Sequence, residues 1–396
     1  MMILVPMIHW LMQLTSINDN KPLCLVPWTS IDIRPNGTIA PCCKYRESAE
    51  EKLNITEVSI DEYTNSAFLK KIKDTMLQNK WPDGCFRCKQ EEASGIKSKR
   101  ILDYERWTTE FDNYTEDKGY IVAAIAFGNT CNLKCITCHS GNSSLWRQEY
   151  IDIYGIDRVG VKKLSSDASE IYDAMPNIIH IDIPGGEPFL SEIKKQKRLL
   201  QRYVDTGQSK DIALHYTTNA QIFPGEEWWT IWQNFKEIDM QLSIDGVDAR
   251  YEYIRFPADK NILQQNVEKY LAKEKNNTNV RLSVSHTISA YNVYYLTEFF
   301  DWCEQVGLPQ PWCGVVNTPK HMRPQVYPQT VKDKIIEHLQ SSRHKDVQTW
   351  ATYLSDNDSS DNYDEFLRLT DAHDLYRNLN FAKTFPELKK LLDLTK

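Results

Sequence analysis

Apolar and polar residues alternate in several short segments of the chain, and longer amphipathic segments separate them. Successive side chains of a β-strand point to opposite faces, so this alternation predicts strands with one apolar and one polar face. In one segment Ile179, Ile181 and Ile183 share one face, and His180 and Asp182 share the other. The strands predicted in this way cover residues 120–127, 178–184, 211–219, 237–245, 280–288 and 311–317.

Apolar residues recur at helical spacing between these strands, which predicts helices at Ser191–Tyr203, Glu226–Phe235, Ile262–Lys273 and Tyr294–Val306. Strands that alternate with helices are typical of a parallel sheet or barrel, so the fold class is α/β. An antiparallel sheet with one wet face would also alternate, but the long helical connections disfavour it. A parallel sheet covered on both faces is apolar throughout, so the polar face predicts a functional cavity.

Before these strands, Asn36-Gly37 lies between two short alternating segments and predicts a β-hairpin, because a type I′ turn needs two residues with positive φ. A helix is expected at Ser66–Gln78, and the residues after the last strand are mostly helical in pattern. The predicted organisation is a small cysteine-rich domain at 17–100, a linker at 101–118, a core at 119–320 and a helical extension at 321–396.

The formal net charge is −7 and no basic stripe is present, which disfavours an extended nucleic-acid footprint. The apolar segment Met1–Leu14 is too short to span a bilayer, and it lacks the basic residues and the cleavage site of a signal peptide. We therefore expect a cytoplasmic protein without a membrane partner.

Most of the ten cysteines fall into short-range groups, which favours metal or cluster binding in a reducing compartment over disulfides. Cys131, Cys135 and Cys138 have C-x3-C-x2-C spacing just after the strand at 120–127. Three thiolates select zinc, copper(I) or an iron–sulfur cluster, and they leave one coordination position open for chemistry. A zinc knuckle with a fourth ligand from elsewhere in the chain fits the same three residues.

This spacing, with Asn-Leu-Lys between the first two cysteines, resembles the motif of the radical S-adenosylmethionine (radical SAM) enzymes. The resemblance implies that Cys131, Cys135 and Cys138 are catalytic and hold a [4Fe-4S] cluster, while S-adenosylmethionine chelates the fourth iron. It also implies a partial (βα)6 barrel for the core. The segment 184–188, Pro-Gly-Gly-Glu-Pro, ends the second core strand and resembles the family's GGE motif, which holds the amino group of S-adenosylmethionine.

The resemblance and the polar strand faces together imply a set of cofactor-binding residues. They are Gly185, Gly186, Glu187, Pro188, Thr217, Asn219, Ser243, Asp245, Arg255, Ser285 and Asn317. Arg255 offers a fork that matches a carboxylate, although an ordinary ion pair at a helix start remains the alternative. Thr137 occupies a position where the family often has an aromatic residue, so another side chain must pack against the adenine. Among the histidines, His180 and His215 are the better functional candidates because they lie on the polar face.

The N-terminal segment resembles the twitch domain, the short form of the auxiliary-cluster domain called SPASM. Its pattern C-x(9–15)-G-x4-C is matched by Cys24, Gly37 and Cys42. The resemblance implies a second, auxiliary [4Fe-4S] cluster, and its predicted ligands are Cys24, Cys42, Cys85 and Cys88. Cys43 offers a competing ligand, and a four-cysteine zinc site is the alternative. The segment also precedes the core, as in one subset of twitch proteins.

Together these features predict an enzyme that cleaves S-adenosylmethionine reductively and forms a 5′-deoxyadenosyl radical. That radical would abstract a hydrogen atom from a peptide or small-molecule substrate. The expected electron donor is a flavodoxin or a ferredoxin. A non-catalytic cysteine-rich zinc or iron–sulfur protein with a degenerate barrel is the alternative, although it would need neither the GGE motif nor a polar cavity.

Overall fold

The computed structural model describes residues 22–93, 97–156, 168–355 and 358–393. The apolar segment Met1–Leu14 and the first residues of the predicted 17–100 domain lie outside the described residues. The chain folds as two compact units. The first comprises Met1–Asn129, Gly160–His215 and Trp228–Glu237, and the second comprises Thr130–Val159, Tyr216–Glu227 and Ile238–Lys396.

The first unit carries strands in the order β3-β2-β1-β4-β5-β6. These are β1 (Ser30–Ile33), β2 (Thr38–Ala40), β3 (Leu53–Asn54), β4 (Val122–Ile125), β5 (His180–Ile183) and the first half of β6 (Ala213–Thr218). The predicted hairpin is confirmed, because β1 and β2 pair antiparallel and Gly37 has a φ of 81° at the turn. Strands β1, β4 and β5 pair in parallel, so the cysteine-rich segment continues the sheet of the core strands.

The helices of the first unit lie before, between and after these strands in the sequence. They are α1 (Val26–Thr29), α2 (Ile60–Thr64), α3 (Ala67–Leu77), α4 (Phe86–Ala93), α5 (Lys99–Arg106), α6 (Thr108–Asp112), α8 (Ala168–Ala174) and α9 (Ile193–Asp205), with most of α10 (Glu226–Trp232). The stretch 101–118, predicted as a linker, contains α6 and most of α5. Its Phe111 and Tyr114 are buried with Trp28 and Ile72 in one apolar cluster.

The second unit carries strands in the order β6-β7-β8-β9. Strands β7 (Glu237–Ser243), β8 (Val280–Ile288) and β9 (Trp312–Val315) are parallel, as predicted. The helices of this unit are α7 (Arg147–Tyr154), α11 (Asp248–Ile254), α12 (Lys260–Asn276), α13 (Leu296–Val306), α14 (Gln329–Gln340), α15 (Lys345–Ser355), α16 (Tyr363–Arg377), α17 (Phe381–Thr384) and α18 (Pro386–Asp393).

Strand burial follows the predicted alternation. In β7 and β8 every second residue, including Leu242 and Val284, is buried, and the polar residues between them are mostly half-buried. The structure is therefore a mixed α/β protein with nine strands among the described residues. The partial (βα)6 barrel remains a prediction.

Candidate functional site

The three-cysteine motif lies in a loop of the second unit that is held by buried apolar residues and by backbone hydrogen bonds to residues 254–256. Leu133 and Ile136, between the cysteines, are at most 1% exposed, whereas the three cysteines are half-buried. The N–H of Lys134 donates to the carbonyl of Phe256, and that of Ile136 donates to the carbonyl of Ile254, each over 2.7 Å. The apolar residues of the motif therefore anchor the loop while its thiols stay partly accessible.

The thiols of this loop interact electrostatically with one another. Burial, and to a lesser extent the neighbouring cysteine thiolates, raise the pKa of Cys135 and bring that of Cys138 to about 12. Arg255 acts in the opposite direction and lowers both pKa values. Thiols with such raised pKa values become ligands when a metal centre supplies positive charge, so the donor set fits an iron–sulfur cluster.

Asn219, a predicted cofactor-binding residue, contacts this loop. Its side-chain amide donates to Asn132 Oδ1 over 2.9 Å and to the Sγ of Cys131 over 3.8 Å. The backbone N–H of Gln221 donates to Asn219 Oδ1 and fixes the orientation of the amide. Asn132 lies inside the motif but was not predicted as a site residue, because the motif alone does not show which side chain meets it.

Asp245 and Arg255, also predicted, form a buried ion pair of 2.9 Å in the second unit. The N–H of Thr287 donates to Asp245 Oδ1, and the side chain of Asn292 donates to the Asp245 carbonyl. Arg255 thus already has a carboxylate partner from the chain itself. Asn292 follows β8 without any motif, so no sequence signal identified it.

The remaining predicted cofactor-binding residues of the second unit do not all lie in the same surroundings. Ser243 and Ser285 face each other in the β7–β8 register. The Thr217 hydroxyl donates to Gln241 over 3.4 Å. Asn317 is exposed after β9, and its carbonyl accepts from Arg323. Ser243 and Ser285 therefore share a row of the sheet, whereas the contact described for Asn317 is with the residues that follow it.

The predicted GGE motif forms a tight loop in the first unit. A Cβ at Gly185 would lie 3.1 Å from the carbonyl oxygen of Gly128, and the N–H of Gly186 donates to that oxygen. Glu187 is fully buried, and Gln196 of α9 donates to the carbonyl of Pro188. A side chain at Gly185 would therefore crowd the Gly128 backbone, which favours glycine at this close approach of two backbone segments.

The predicted auxiliary cysteines share one region of the first unit. Cys24, Cys42 and Cys85 pack against the apolar cluster around Trp28. Burial raises the pKa of Cys24, Cys42 and Cys85, and nearby cysteine thiolates raise each of them further. Cys88 contributes to all three shifts. Cys43 also raises the pKa of Cys42, so it belongs to the same interacting set as the four predicted ligands. The chemistry of these thiols fits a four-thiolate cluster.

Cys43 is exposed and lines a cavity of about 60 Å³ in the same unit. Cys42 lines the same cavity, and about half of the lining residues are charged or aromatic. They include Asp32, Lys99, Asp103, Arg106, Trp107, His180 and Asp182. His180 is almost fully buried, and the Oδ1 of Asp182 lies 2.9 Å from its Nε2 and 2.8 Å from His215 Nδ1. The two histidines predicted as functional candidates thus meet at one carboxylate.

No helix among the residues that the structure describes is long and apolar enough to cross a membrane.

Comparison with solved structures finds several similar chains. One is a structure of anSMEcpe with bound AdoMet and Cp18Cys peptide, with a TM-score of 0.41 and 14% identity, covering 55% of this chain and 56% of that one. Another is Streptococcus suis SuiB bound to S-adenosylmethionine, with a TM-score of 0.38 and 16% identity, covering 72% and 60%. The chain thus spans little more than half the length of the first solved structure that it matches.

No curated protein matches the sequence. Residues 24–89 match the SPASM family, described as an iron–sulfur cluster-binding domain. The matched region begins at Cys24 and ends one residue after Cys88, so it contains all four predicted auxiliary ligands. The prediction of a SPASM-like segment at the start of this chain is therefore confirmed.

Proposed function

We propose that this chain is a radical SAM enzyme with one auxiliary iron–sulfur cluster, and that it acts on a peptide or a small metabolite. The observation that carries the proposal is the loop at Cys131, Cys135 and Cys138, whose three mutually interacting thiols are held by an anchored backbone. The SPASM match at 24–89 supports the second cluster.

The residues around the loop have defined tasks in this proposal. Cys131, Cys135 and Cys138 would hold the catalytic [4Fe-4S] cluster, which, when bound, supplies the electron that cleaves the sulfur–C5′ bond of S-adenosylmethionine. Asn219 positions the Cys131 sulfur through its amide. Arg255 lowers the pKa of Cys135 and so favours the thiolate.

Asp245 supports this role of Arg255. Its carboxylate neutralises a guanidinium that would otherwise be buried without a counter-charge, and the N–H of Thr287 fixes the carboxylate in turn. The Gly185–Gly186 backbone and the buried Glu187 would receive the amino group of S-adenosylmethionine. Thr217, Ser243, Ser285 and Asn317 remain proposed contacts to the rest of that cofactor.

The auxiliary cluster would be held by Cys24, Cys42, Cys85 and Cys88. In the proposed reaction it anchors the substrate or accepts an electron from it. A flavodoxin or ferredoxin would supply electrons to the catalytic site, and the reaction would take place in the cytoplasm.

Anaerobic reconstitution tests the proposal. We expect two [4Fe-4S] clusters per chain by iron and sulfide analysis, and release of 5′-deoxyadenosine after addition of S-adenosylmethionine and dithionite. Cys135→Ser should abolish this release and leave the auxiliary cluster bound. Cys303→Ser, at a buried cysteine of α13, is the matched control and should leave both unchanged.

The opposite outcome is equally clear. A chain that binds stoichiometric zinc at its cysteines and releases no 5′-deoxyadenosine would be a non-catalytic cysteine-rich binding protein. If the chain does release 5′-deoxyadenosine, replacing dithionite with reduced flavodoxin or ferredoxin identifies which electron donor supports turnover.

A further inference from the structure

His180, Asp182 and His215 form a compact cluster on one face of two neighbouring strands in the first unit. His180 and Asp182 are two residues apart on β5, so their side chains point to the same face. His215 lies on β6, the next strand. One ligand atom from each of the three residues lies within 4.8 Å of the other two.

We propose that these three residues bind a divalent transition-metal ion. Two imidazoles and one carboxylate are a donor set that suits Zn²⁺ and Fe²⁺. Metal bonds of about 2.1 Å place neighbouring ligand atoms about 3.0 Å apart in an octahedral shell and about 3.4 Å apart in the tetrahedral shell of Zn²⁺. The Asp182 oxygen lies 2.9 Å and 2.8 Å from the two histidine nitrogens, which is close to the octahedral separation, so a tetrahedral Zn²⁺ would move these atoms apart by about 0.5 Å.

The cavity beside the cluster supports this site. His180 and Asp182 line a space of about 60 Å³, which is large enough for water molecules to complete a coordination shell. Two other carboxylates of the cavity already have cationic partners, because Asp32 pairs with Arg34 at 3.2 Å and Asp103 pairs with Lys99 at 2.7 Å. The partners described for Asp182 are the two imidazoles, so a cation bound there would balance its charge.

A second group of possible ligands provides a contrast. Asp301, Glu304 and His344 also bring their ligand atoms together, but Arg343 pairs with both carboxylates. Its guanidinium occupies the place of a cation, and both acidic side chains are at least 45% exposed. Proximity of ligand atoms therefore does not suffice, and the His180 cluster differs because its carboxylate is less exposed, at 31%, and because the ion pairs described for Asp182 are with the two histidines.

The competing arrangement is a hydrogen-bonded cluster in which each imidazole donates an N–H to Asp182 and no metal binds. Amide substitutions separate the two. His180→Gln and His215→Asn place an amide N–H close to the positions of Nε2 and Nδ1, so they preserve a hydrogen bond to Asp182 but remove an imidazole ligand. His286→Asn is the control, because His286 is equally buried and bonds a backbone carbonyl through Nδ1.

The experiment uses the full chain with its clusters reconstituted, equilibrated with Zn²⁺ and then freed of excess metal. We expect one zinc per chain at an unchanged iron content, with roughly 100-fold weaker zinc binding in His180→Gln and His215→Asn and wild-type binding in His286→Asn. Zinc K-edge absorption should show nitrogen and oxygen neighbours at about 2.0–2.2 Å and no sulfur shell at about 2.3 Å.

Three results would overturn the proposal. These are no zinc retained by the wild-type chain, a zinc site dominated by sulfur, or zinc binding in the two amide variants that is as tight as in the wild-type chain. Thermal unfolding of each variant without zinc checks that the amide substitutions leave the fold intact. If a variant folds less well, its zinc affinity is set aside, and the zinc K-edge spectrum of the wild-type chain alone decides the proposal.

Discussion

The cysteine loop of the second unit has three cysteines in the single segment Cys131–Cys138, whereas the SPASM segment of the first unit has five between positions 24 and 88, four of which are the proposed ligands. The loop has its proposed ligands together in sequence, so its geometry depends on what holds the segment in place. The SPASM segment must first bring distant cysteines together, so it depends on its turns and packing. The two sites should therefore fail through different kinds of substitution.

The contacts that hold the loop come from far along the chain. Glu149 of α7 has a fully buried side chain and pairs with Arg377 Nε at 2.7 Å, with His373 Nδ1 at 2.9 Å and with Lys134 Nζ at 2.7 Å. Arg377 also donates to the carbonyl of Lys134, between Cys131 and Cys135. The helical extension thus fixes the cysteine loop through one buried network.

Glu149→Gln should have the largest effect on stability. Although burial opposes its ionisation, hydrogen bonds and charges from His373, Arg377 and Lys134 lower the pKa of Glu149 to about 2, so it is a carboxylate at neutral pH. Removing that charge leaves two buried cations without a counter-ion, which costs about 3–5 kcal/mol. Urea unfolding of the cluster-free chain measures the loss.

Asp152→Asn is the matched control, because Asp152 lies on the same helix but is exposed. We expect a change within about 0.5 kcal/mol for this variant. In reconstituted Glu149→Gln, iron should be lost from the loop and retained by the SPASM segment. Loss of both clusters together would show that the two sites are not independent.

Acidification should destabilise the second unit through His286. Burial lowers the pKa of His286 to about 4, and its Nδ1 donates to the Ile244 carbonyl. Since the folded pKa lies below the unfolded value of about 6.5, the contribution is complete above pH 6.5 and is lost as the pH falls towards 4. The expected loss is up to about 3 kcal/mol.

Urea unfolding at several pH values between 7 and 4.5 measures this slope. His286→Asn cannot take up a proton, so its stability should fall less steeply over the same range. Equal slopes for the two proteins would assign the acid sensitivity to other groups, such as His373, whose pKa burial also lowers.

The sequence predicted the local elements of both sites well. The Asn36-Gly37 turn, the parallel strands and the alternation of β7 and β8 follow from rules that act over a few residues, and the structure has all of them. The SPASM pattern was also readable, because Gly37 lies in the turn of one hairpin and Cys24 and Cys42 lie close to its two ends in the sequence.

Long-range contacts were not predictable in the same way. Glu149 and Arg377 are separated by 228 positions, and neither lies in a motif. The stretch 101–118 shows no clear apolar period, yet Phe111 is buried because it packs in a cluster of aliphatic and aromatic residues that come mostly from elsewhere in the first unit. Such residues become recognisable only after the chain has folded.

Gly84→Ala should affect the SPASM segment alone. A Cβ at Gly84 would lie 2.4 Å from the Tyr45 ring, which is buried beside the cysteines. Such overpacking costs about 1–3 kcal/mol and displaces Cys85. We expect reduced auxiliary iron and normal 5′-deoxyadenosine release, with Asp83→Ala, at the exposed neighbouring residue, as the unaffected control.

The smallest effect is expected for Cys43→Ser, compared with Cys42→Ser at the adjacent position. Cys42 interacts with the thiols of Cys43, Cys24 and Cys88 and is a proposed cluster ligand, so its loss should lower the auxiliary iron content. Cys43 is exposed at the charged cavity, beside Lys99, so its replacement by an isosteric hydroxyl should leave the iron content and the auxiliary cluster's EPR signal unchanged. If Cys43→Ser instead loses the cluster and Cys42→Ser keeps it, the assignment of these two cysteines must be exchanged. Cys43 would then be the ligand that follows the hairpin. The burial of Cys42 against the apolar cluster would not decide which cysteine binds the metal, and the proposed dependence of this site on packing would be wrong.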